Sequence, residues 1–156
     1  MTALRAQTVA LLFLAVVTGP LLAGTRQEAK VLMNEDQSMA KLEEEWGFAD
    51  AIVVGDTVYV SGVVAGIRED ESDLKLAYQR AFERIGATLK RAGATWDDVV
   101  DITSFHTDLT TQMPAMVAVK KKYVKPPFPA WTAIQVSRLI PNNGLTEIKV
   151  VAKVRK

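Results

Sequence analysis

A long amphipathic segment in the middle of the chain constrains the fold more than any other feature. Its apolar residues recur at steps of three and four, the spacing of one face of a helix: Leu74, Ala77, Tyr78, Ala81, Phe82, Ile85, Leu89 and Ala92. Ser72 or Asp73 can cap the start of this helix, and Gly93 can supply the left-handed residue that ends it. A single apolar stripe of this length has to be buried, and we expect it to pack on a sheet.

The flanking segments predict the strands of that sheet and a second helix. Residues 51–54 and 57–62 form a hairpin around Gly55-Asp56, with Gly62 closing its second strand. Thr110 or Thr111 can cap a second helix, which runs to about Val124 and is ended by nearby prolines. Further strands are predicted at 99–107, 131–137 and 146–154. The predicted order is ββαβαββ, an α+β domain in which two helices cover one face of a mixed sheet.

The other face of the sheet has no predicted cover. In the last strand Ile148, Val150 and Ala152 point one way and Val151 the other, because side chains alternate along a strand. A monomer would leave this second apolar face in water, so we expect the chain to self-associate.

The composition excludes several kinds of site. A chain of 156 residues has room for one domain of ordinary size. It has no cysteine and one histidine, so we expect neither a thiolate site nor a metal centre. The formal charge is +1, without the basic field of a nucleic-acid-binding protein. We therefore expect no nucleic-acid partner.

The N-terminal segment differs in character from the rest. Residues 1–24 have Arg5, a short apolar run and small residues at Ala23-Gly24, a pattern typical of a signal peptide. We predict export to the periplasm or the medium with no stable membrane association after cleavage; the alternative is an uncleaved membrane anchor. Residues 25–45 are polar and end in three glutamates, which predicts a linker or an exposed segment. Residues 46–156 form the domain.

Four blocks of the domain carry a family resemblance. They are 54–62 (VGDTVYVSG), 85–100 (IGATLKRAGATWDDVV), 103–109 (TSFHTDL) and 129–152. In this order they resemble the Rid family of reactive-intermediate deaminases, also called YjgF or UK114. The resemblance implies a chorismate-mutase-like fold and a homotrimer with ligand clefts between subunits. In deaminating members, water hydrolyses small imino or enamino acids to 2-oxo acids and ammonia there, without a cofactor.

The resemblance also implies a role for position 131. The family has an arginine after Pro-Ala, where its guanidinium holds the carboxylate of the substrate. Here Trp131 follows Pro129-Ala130, and we expect its side chain to form one wall of the cleft. An indole has one N–H donor and cannot replace a guanidinium. Arg138 lies seven residues further on, roughly 23 Å along an extended strand and on the opposite face. The same strand therefore offers no substitute, although an arginine of another subunit could serve.

Other cleft residues follow from the same resemblance. Glu147 matches the acidic residue that orders the attacking water; its alternative role is a strand carboxylate paired with a lysine such as Lys149. The family's cleft lining corresponds to Ser61 and Gly62, which could also be only the end of a strand. Phe48 replaces a tyrosine of many members. Together with Trp131, we expect Thr132 and Ala133 to touch the ligand.

His106 offers a second arrangement, with Ser104 and Asp108 on the same strand. Alternate residues of a strand are about 6.6 Å apart, too far for a direct relay, so we expect His106 to be a hydrogen-bonding residue at the end of the strand.

Three functions remain open. The first is a trimer that binds a small molecule in its clefts and acts as a hydrolase resembling a 2-iminobutanoate/2-iminopropanoate deaminase. The second is a ligand-binding or interaction trimer without catalysis. The third is a ribonuclease or translation inhibitor, which the near-neutral charge and the lack of paired histidines disfavour.

Overall fold

A computed structural model describes residues 25–154, so the predicted signal peptide at 1–24 lies outside the described residues. Within residues 25–154 the chain forms one six-stranded sheet and three helices. In chain order the elements are β1 (Lys30–Leu32), α1 (Gln37–Trp46), β2 (Ala51–Val54), β3 (Thr57–Gly66), α2 (Leu74–Ala92), a 3₁₀ turn (Trp96–Asp98), β4 (Val99–His106), α3 (Leu109–Tyr123), β5 (Ala130–Gln135) and β6 (Gly144–Lys153).

The predicted ββαβαββ order is confirmed as β2 to β6 with α2 and α3. The spatial order of the strands is β1-β2-β3-β6-β4-β5. β4 and β5 run parallel while the other neighbouring strands run antiparallel, so the sheet is mixed and the α+β class is confirmed.

Helix α2 has the predicted face and caps. Asp73 accepts a hydrogen bond from the backbone N–H of Lys75, and Gly93 ends the helix with φ of 85°. Its apolar stripe packs on the sheet side that carries Val58, Ile102 and Ile148, all without exposed surface. Burying a side chain of this size contributes about 1.5–3 kcal/mol. This face of the sheet is the core of the domain.

Some predicted boundaries are wrong. The cap of α3 is Asp108, whose carboxylate accepts from the N–H of Thr111, and not a threonine. Gly62 does not close β3, which continues to Gly66 past an irregularity in its pairing with β6. β5 ends at Gln135, two residues earlier than expected. The last two differences, in β3 and β5, decide where residues of the candidate site lie.

The segment 25–45 is not the linker or exposed stretch that its composition indicated. It forms β1, which pairs with β2, and most of α1. Asp36 caps α1 and Gly47 ends it with φ of 72°. Within the acidic run the side chain of Glu43 is fully buried while that of Glu44 is exposed. A helix turns successive side chains to different faces, so a run of like charges is not uniformly solvated.

A buried polar cluster joins this segment to the domain. Glu43 accepts a hydrogen bond from the backbone N–H of Asn34 at 2.8 Å. Its neighbour Asp50 pairs with Arg84 at 3.2 Å and with Arg91 at 3.1 Å. Loss of hydration on burial, and then the proximity of Asp50, raise the pKa of Glu43 above its ordinary 4.5. Glu43 is therefore the acid in the cluster that favours its protonated form.

Replacing Glu43 with glutamine should change how stability depends on pH. A raised folded-state pKa means that the folded chain holds this proton more tightly than the unfolded chain. Its contribution is fully present below the unfolded pKa and is lost as the pH rises through the folded pKa. The free energy of unfolding of Glu43→Gln should therefore rise relative to wild type across that interval, as measured by urea unfolding at a series of pH values.

The matched control is Glu44→Gln, the same change on the exposed neighbouring residue. Its difference from wild type should stay flat over the same pH range. A flat difference for Glu43→Gln as well would mean that Glu43 is not a destabilised buried carboxylate.

Candidate functional site

The site is built around an irregularity in the pairing of β3 with β6. Val60 pairs with Val150 and Val63 with Ile148, so two residues of β3 face one residue of β6. Such a bulge re-aims side chains and bends the strand. The two residues in the bulge are Ser61 and Gly62.

Gly62 lies directly against the carboxylate of Glu147. A Cβ atom added at Gly62 would stand 1.8 Å from Oε1 of Glu147 and 2.6 Å from its Cδ. Real atoms do not approach so closely, so the position of this carboxylate depends on the missing side chain at residue 62. Glycine is required here for space and not for a left-handed backbone.

A cavity of about 430 Å³ opens beside this carboxylate. Pockets of this size hold small-molecule ligands. Its lining combines apolar walls with two charged groups: Trp46, Phe48, Ser61, Gly62, Val64, Arg138, Ile140 and Glu147. Four predicted site residues, Phe48, Ser61, Gly62 and Glu147, thus lie together. We call this cavity the Glu147 pocket.

Two of these residues contribute in different ways. The Ser61 hydroxyl donates to the backbone carbonyl of Ala49 at 2.6 Å. Its proton is used in this bond, so towards a ligand its oxygen can only accept a hydrogen bond. Glu147 is half-buried, and within residues 25–154 its carboxylate makes no ion pair or hydrogen bond, with Lys149 or any other residue. Its carboxylate is therefore available to accept a proton or a hydrogen bond.

Arg138 belongs to this pocket and sequence reasoning missed it. The predicted strand at 131–137 places Arg138 at its end, far from Trp131 and on the opposite face of the sheet. Because β5 ends at Gln135, Arg138 lies in the loop between β5 and β6 and lines the cavity beside Glu147. The signal that could have revealed it is the Pro141-Asn142-Asn143-Gly144 turn, which reverses the chain three residues after Arg138 and places Arg138 in the connection to β6.

Trp131 lies elsewhere in the same chain. It pairs with Ile102 of β4, on the sheet face that the helices cover, and its indole N–H donates to the Ser104 hydroxyl at 3.0 Å. Glu147 pairs with Phe105 and lies on the other face. The two positions are about 10 Å apart across the strands and about 10 Å along them. Trp131 is therefore not a wall of the Glu147 pocket of its own chain.

The two residues after Trp131 divide between the faces. Thr132 pairs with Thr103 and lies on the face of Glu147, whereas Ala133 pairs with Ser104 on the helix side. β5 is the edge strand of the sheet. The structure thus brings four of the seven predicted residues together and places the other three at an open edge.

A lysine covers the indole of Trp131. The ammonium group of Lys120, on α3, stands 3.7 Å from the ring centroid, within the range of a cation–π interaction. Lys120 is half-buried, and this burial lowers its pKa. Lys120 is therefore held against the domain by its contact with Trp131.

His106 takes part in a buried hydrogen-bond chain. Its Nε2 lies 3.0 Å from the Ser104 hydroxyl and its Nδ1 lies 3.0 Å from that of Thr146, which also contacts Tyr78 at 2.8 Å. Ser104 and His106 are thus in direct contact, contrary to the prediction that their spacing is too long for a relay. Both side chains lean along the strand, which shortens the distance between their polar atoms. Loss of hydration lowers the pKa of His106. His106 is a buried hydrogen-bonding residue, and Asp108 caps α3 instead of joining it.

A second cavity adjoins the Glu147 pocket. It measures about 560 Å³, runs between α1 and β3, and shares Trp46, Phe48 and Ile140 with the first cavity. Arg68, Arg80 and Arg84 line this second cavity, and of these Arg80 pairs with Glu71 and Arg84 with Asp50. The aromatic and aliphatic side chains that the two cavities share form a continuous apolar wall between them.

Two other features, a cluster of metal ligands and a membrane-spanning helix, are absent from the described part of the chain. Among residues 25–154 no group of three or more metal-ligating side chains comes together. Over the same range no helix has the length and apolar character to cross a membrane.

Comparison with known proteins agrees with the fold. The family model described as endoribonuclease L-PSP matches residues 39–154. The chain belongs to this family. The RutC family protein YjgH of Escherichia coli is 42% identical over 117 residues, which cover 72% of this chain and 87% of that protein. The solved structure of a protein titled YJGH superposes with a TM-score of 0.67 at 38% identity, covering 81% of this chain and 95% of that one.

Two further relatives connect this family to the resemblance drawn from the sequence. The structure of Rv2704 from Mycobacterium tuberculosis, a member of the YjgF/YER057c/UK114 family, superposes with a TM-score of 0.69 at 25% identity over 81% of this chain and 99% of that one. A protein of Dermatophagoides farinae named 2-iminobutanoate/2-iminopropanoate deaminase is 31% identical over 69% of this chain and 85% of its own length. Membership of the Rid/YjgF/UK114 family and its chorismate-mutase-like fold are thereby confirmed.

The contact between Lys120 and Trp131 should be measurable as a coupling energy. We expect a double-mutant cycle of Lys120→Met and Trp131→Leu to give about 0.5–1 kcal/mol, the range of a cation–π contact outside a fully desolvated site. The measurement is urea unfolding of the four proteins. A coupling energy of zero would show that the ammonium group does not rest on the indole.

Proposed function

We propose that this protein is a hydrolase of small reactive imines or enamines, with Glu147 as the group that activates water. The observation that carries the proposal is the unpaired carboxylate of Glu147, held against Gly62 at one side of a largely apolar pocket. The named activity of the Dermatophagoides farinae relative supports the choice of reaction.

The chemistry requires one proton acceptor at this position. A water molecule hydrogen-bonded to Glu147 attacks the imine carbon, its oxygen forms the new C–O bond, and Glu147 takes the proton that the water loses. Glu147 passes this proton to the nitrogen, which gives a carbinolamine with an OH and an NH2 group on the same carbon. The hydroxyl proton then moves to the nitrogen by way of Glu147, the C–N bond breaks and its electron pair leaves with the nitrogen as ammonia. The carbon keeps the oxygen as a carbonyl group, and Glu147 returns to its charged form. The sum is imine plus water giving carbonyl compound plus ammonia, and no cofactor enters this balance.

We propose further that the working unit is a homotrimer with its clefts between subunits. The face of the sheet opposite the helices exposes Tyr59 and Ile134, and an isolated subunit leaves this apolar surface in water. The edge strand β5 is also open. In a trimer the edge strand β5 of one subunit lies beside the Glu147 pocket of its neighbour, where Thr132, on the face opposite the helices, completes the pocket, while Trp131 and Ala133 support the strand from the helix side.

A second candidate is a trimer that binds a ligand without catalysis. Trp131 at the position of the family's arginine favours it, because the indole donates its N–H to Ser104 and the ring supports Lys120. Neither group then holds a substrate carboxylate. In this case the pocket binds a flat apolar molecule by stacking on aromatic side chains.

We do not propose ribonuclease activity, although the family description names it. Acid–base cleavage of RNA commonly depends on accessible histidines, whose ordinary pKa lies near neutral pH. The histidine of this chain is fully buried and hydrogen-bonded through both ring nitrogens.

Glutamine in place of Glu147 should abolish most of the activity. We expect ammonia release from a freshly generated 2-imino acid, in excess of its spontaneous hydrolysis, to fall about 10²- to 10⁴-fold in Glu147→Gln, the usual contribution of a general base. Glu83→Gln, the same change on the exposed side of α2, should retain full activity. A wild-type protein without ammonia release would favour the binding candidate instead.

The same preparations test the assembly. Light scattering should give three times the mass of the subunit for the wild type and both variants. A monodisperse monomer would contradict the inter-subunit cleft.

A further inference from the structure

Arg138 is the one basic side chain in the lining of the Glu147 pocket. We propose that Arg138 binds the carboxylate of the ligand, and that the remainder of the ligand is a bulky apolar group. The inference rests on the proposed function and specifies its substrate: an imine derived from an aromatic or large aliphatic amino acid. Arg138 would thus supply the guanidinium that is missing at position 131.

The local chain conformation aims Arg138 into the pocket. Leu139 is buried, while its neighbours Arg138 and Ile140 are exposed and both line the cavity. The buried leucine anchors the loop in the domain, so the side chains before and after it turn to the opposite side. Nη1 of Arg138 donates to the side-chain oxygen of Asn142 at 3.2 Å. This hydrogen bond restrains the guanidinium within the loop.

The charge of Arg138 is uncompensated, unlike that of Arg80 and Arg84 in the adjoining cavity, and the third arginine there, Arg68, does not line the Glu147 pocket. Arg80 and Arg84 already form ion pairs with carboxylates of the chain. Within residues 25–154 Arg138 has an amide partner and forms no ion pair, either with Glu147 or with another acid. A guanidinium with most of its donors unused is the group best suited to bind a carboxylate through two hydrogen bonds.

The positions of the two charges orient the ligand. A carboxylate is attracted by Arg138 and repelled by Glu147, so it binds at the arginine side and leaves the imine carbon towards Glu147. Trp46, Phe48 and Ile140 are 59%, 42% and 62% exposed around the pocket. An apolar side group of the ligand that covers these residues gains the hydrophobic free energy that a small imino acid lacks.

The test compares a carboxylate with its neutral counterpart on two charge variants. The probes are the 2-imino acid of phenylalanine and its amide for ammonia release, and phenylpyruvate and phenylpyruvamide for binding by calorimetry. In Arg138→Gln we expect KM and Kd of the acids to rise about 10- to 100-fold, the value of hydrogen bonds to a charged group. The amides should be unaffected, kcat should change little, and Arg138→Lys should be intermediate.

Lys75→Gln removes one positive charge from an exposed site on α2 and should leave all these constants unchanged. An equal effect of Arg138→Gln on acid and amide, or no effect on either, would overturn the inference. So would a wild-type protein that does not bind phenylpyruvate. If phenylpyruvate binding depends on Arg138 but no ammonia is released, the inference stands and the proposed hydrolase function fails.

Discussion

The close approach of Glu147 to the backbone of Gly62 is the constraint on which the site depends. The bulge in β3 brings two residues opposite one residue of β6, and the absence of a side chain at Gly62 leaves room for the carboxylate. The core side of the same strands, with Val60 and Ile148, packs under the helices and fixes the bulge in place. The stability of the domain thus comes from one face of the sheet and the proposed chemistry from the other.

This separation of the two sheet faces changes the role assigned to Trp131. At the position of the family's arginine it looked like a replacement for a ligand-binding group, but in its own chain it lies on the core side, hydrogen-bonded to Ser104 and covered by Lys120. The positive charge in the Glu147 pocket comes from Arg138, in the loop after β5. The pocket therefore combines a carboxylate from β6 with a guanidinium from the loop after β5.

Much of the fold could be predicted because its signals are local and periodic. The stripe of α2 with Asp73 and Gly93 at its ends, and the hairpin at Gly55, depend on residues close together in the chain. Glu43 could not be assigned from an acidic run, because its burial depends on Asn34 and the arginines of α2. Arg138 was missed because one misplaced strand end reverses the direction of a side chain. Family resemblance identified Glu147, Ser61, Gly62 and Phe48 as candidates, and only the tertiary structure brought Arg138 to them.

Alanine at position 62 tests the central claim most directly. The new methyl group occupies the place of the Glu147 carboxylate, while the strand backbone tolerates alanine. We predict that Gly62→Ala keeps the Tm of the wild type within a few degrees, and loses at least about 10-fold in kcat/KM for ammonia release, because misplacing a catalytic group by about 1 Å can cost 10²-fold. In the Glu147→Gln background the same change should have no further effect. Wild-type activity in Gly62→Ala would contradict the account, since it would show that the carboxylate held against Gly62 is not the group that activates water.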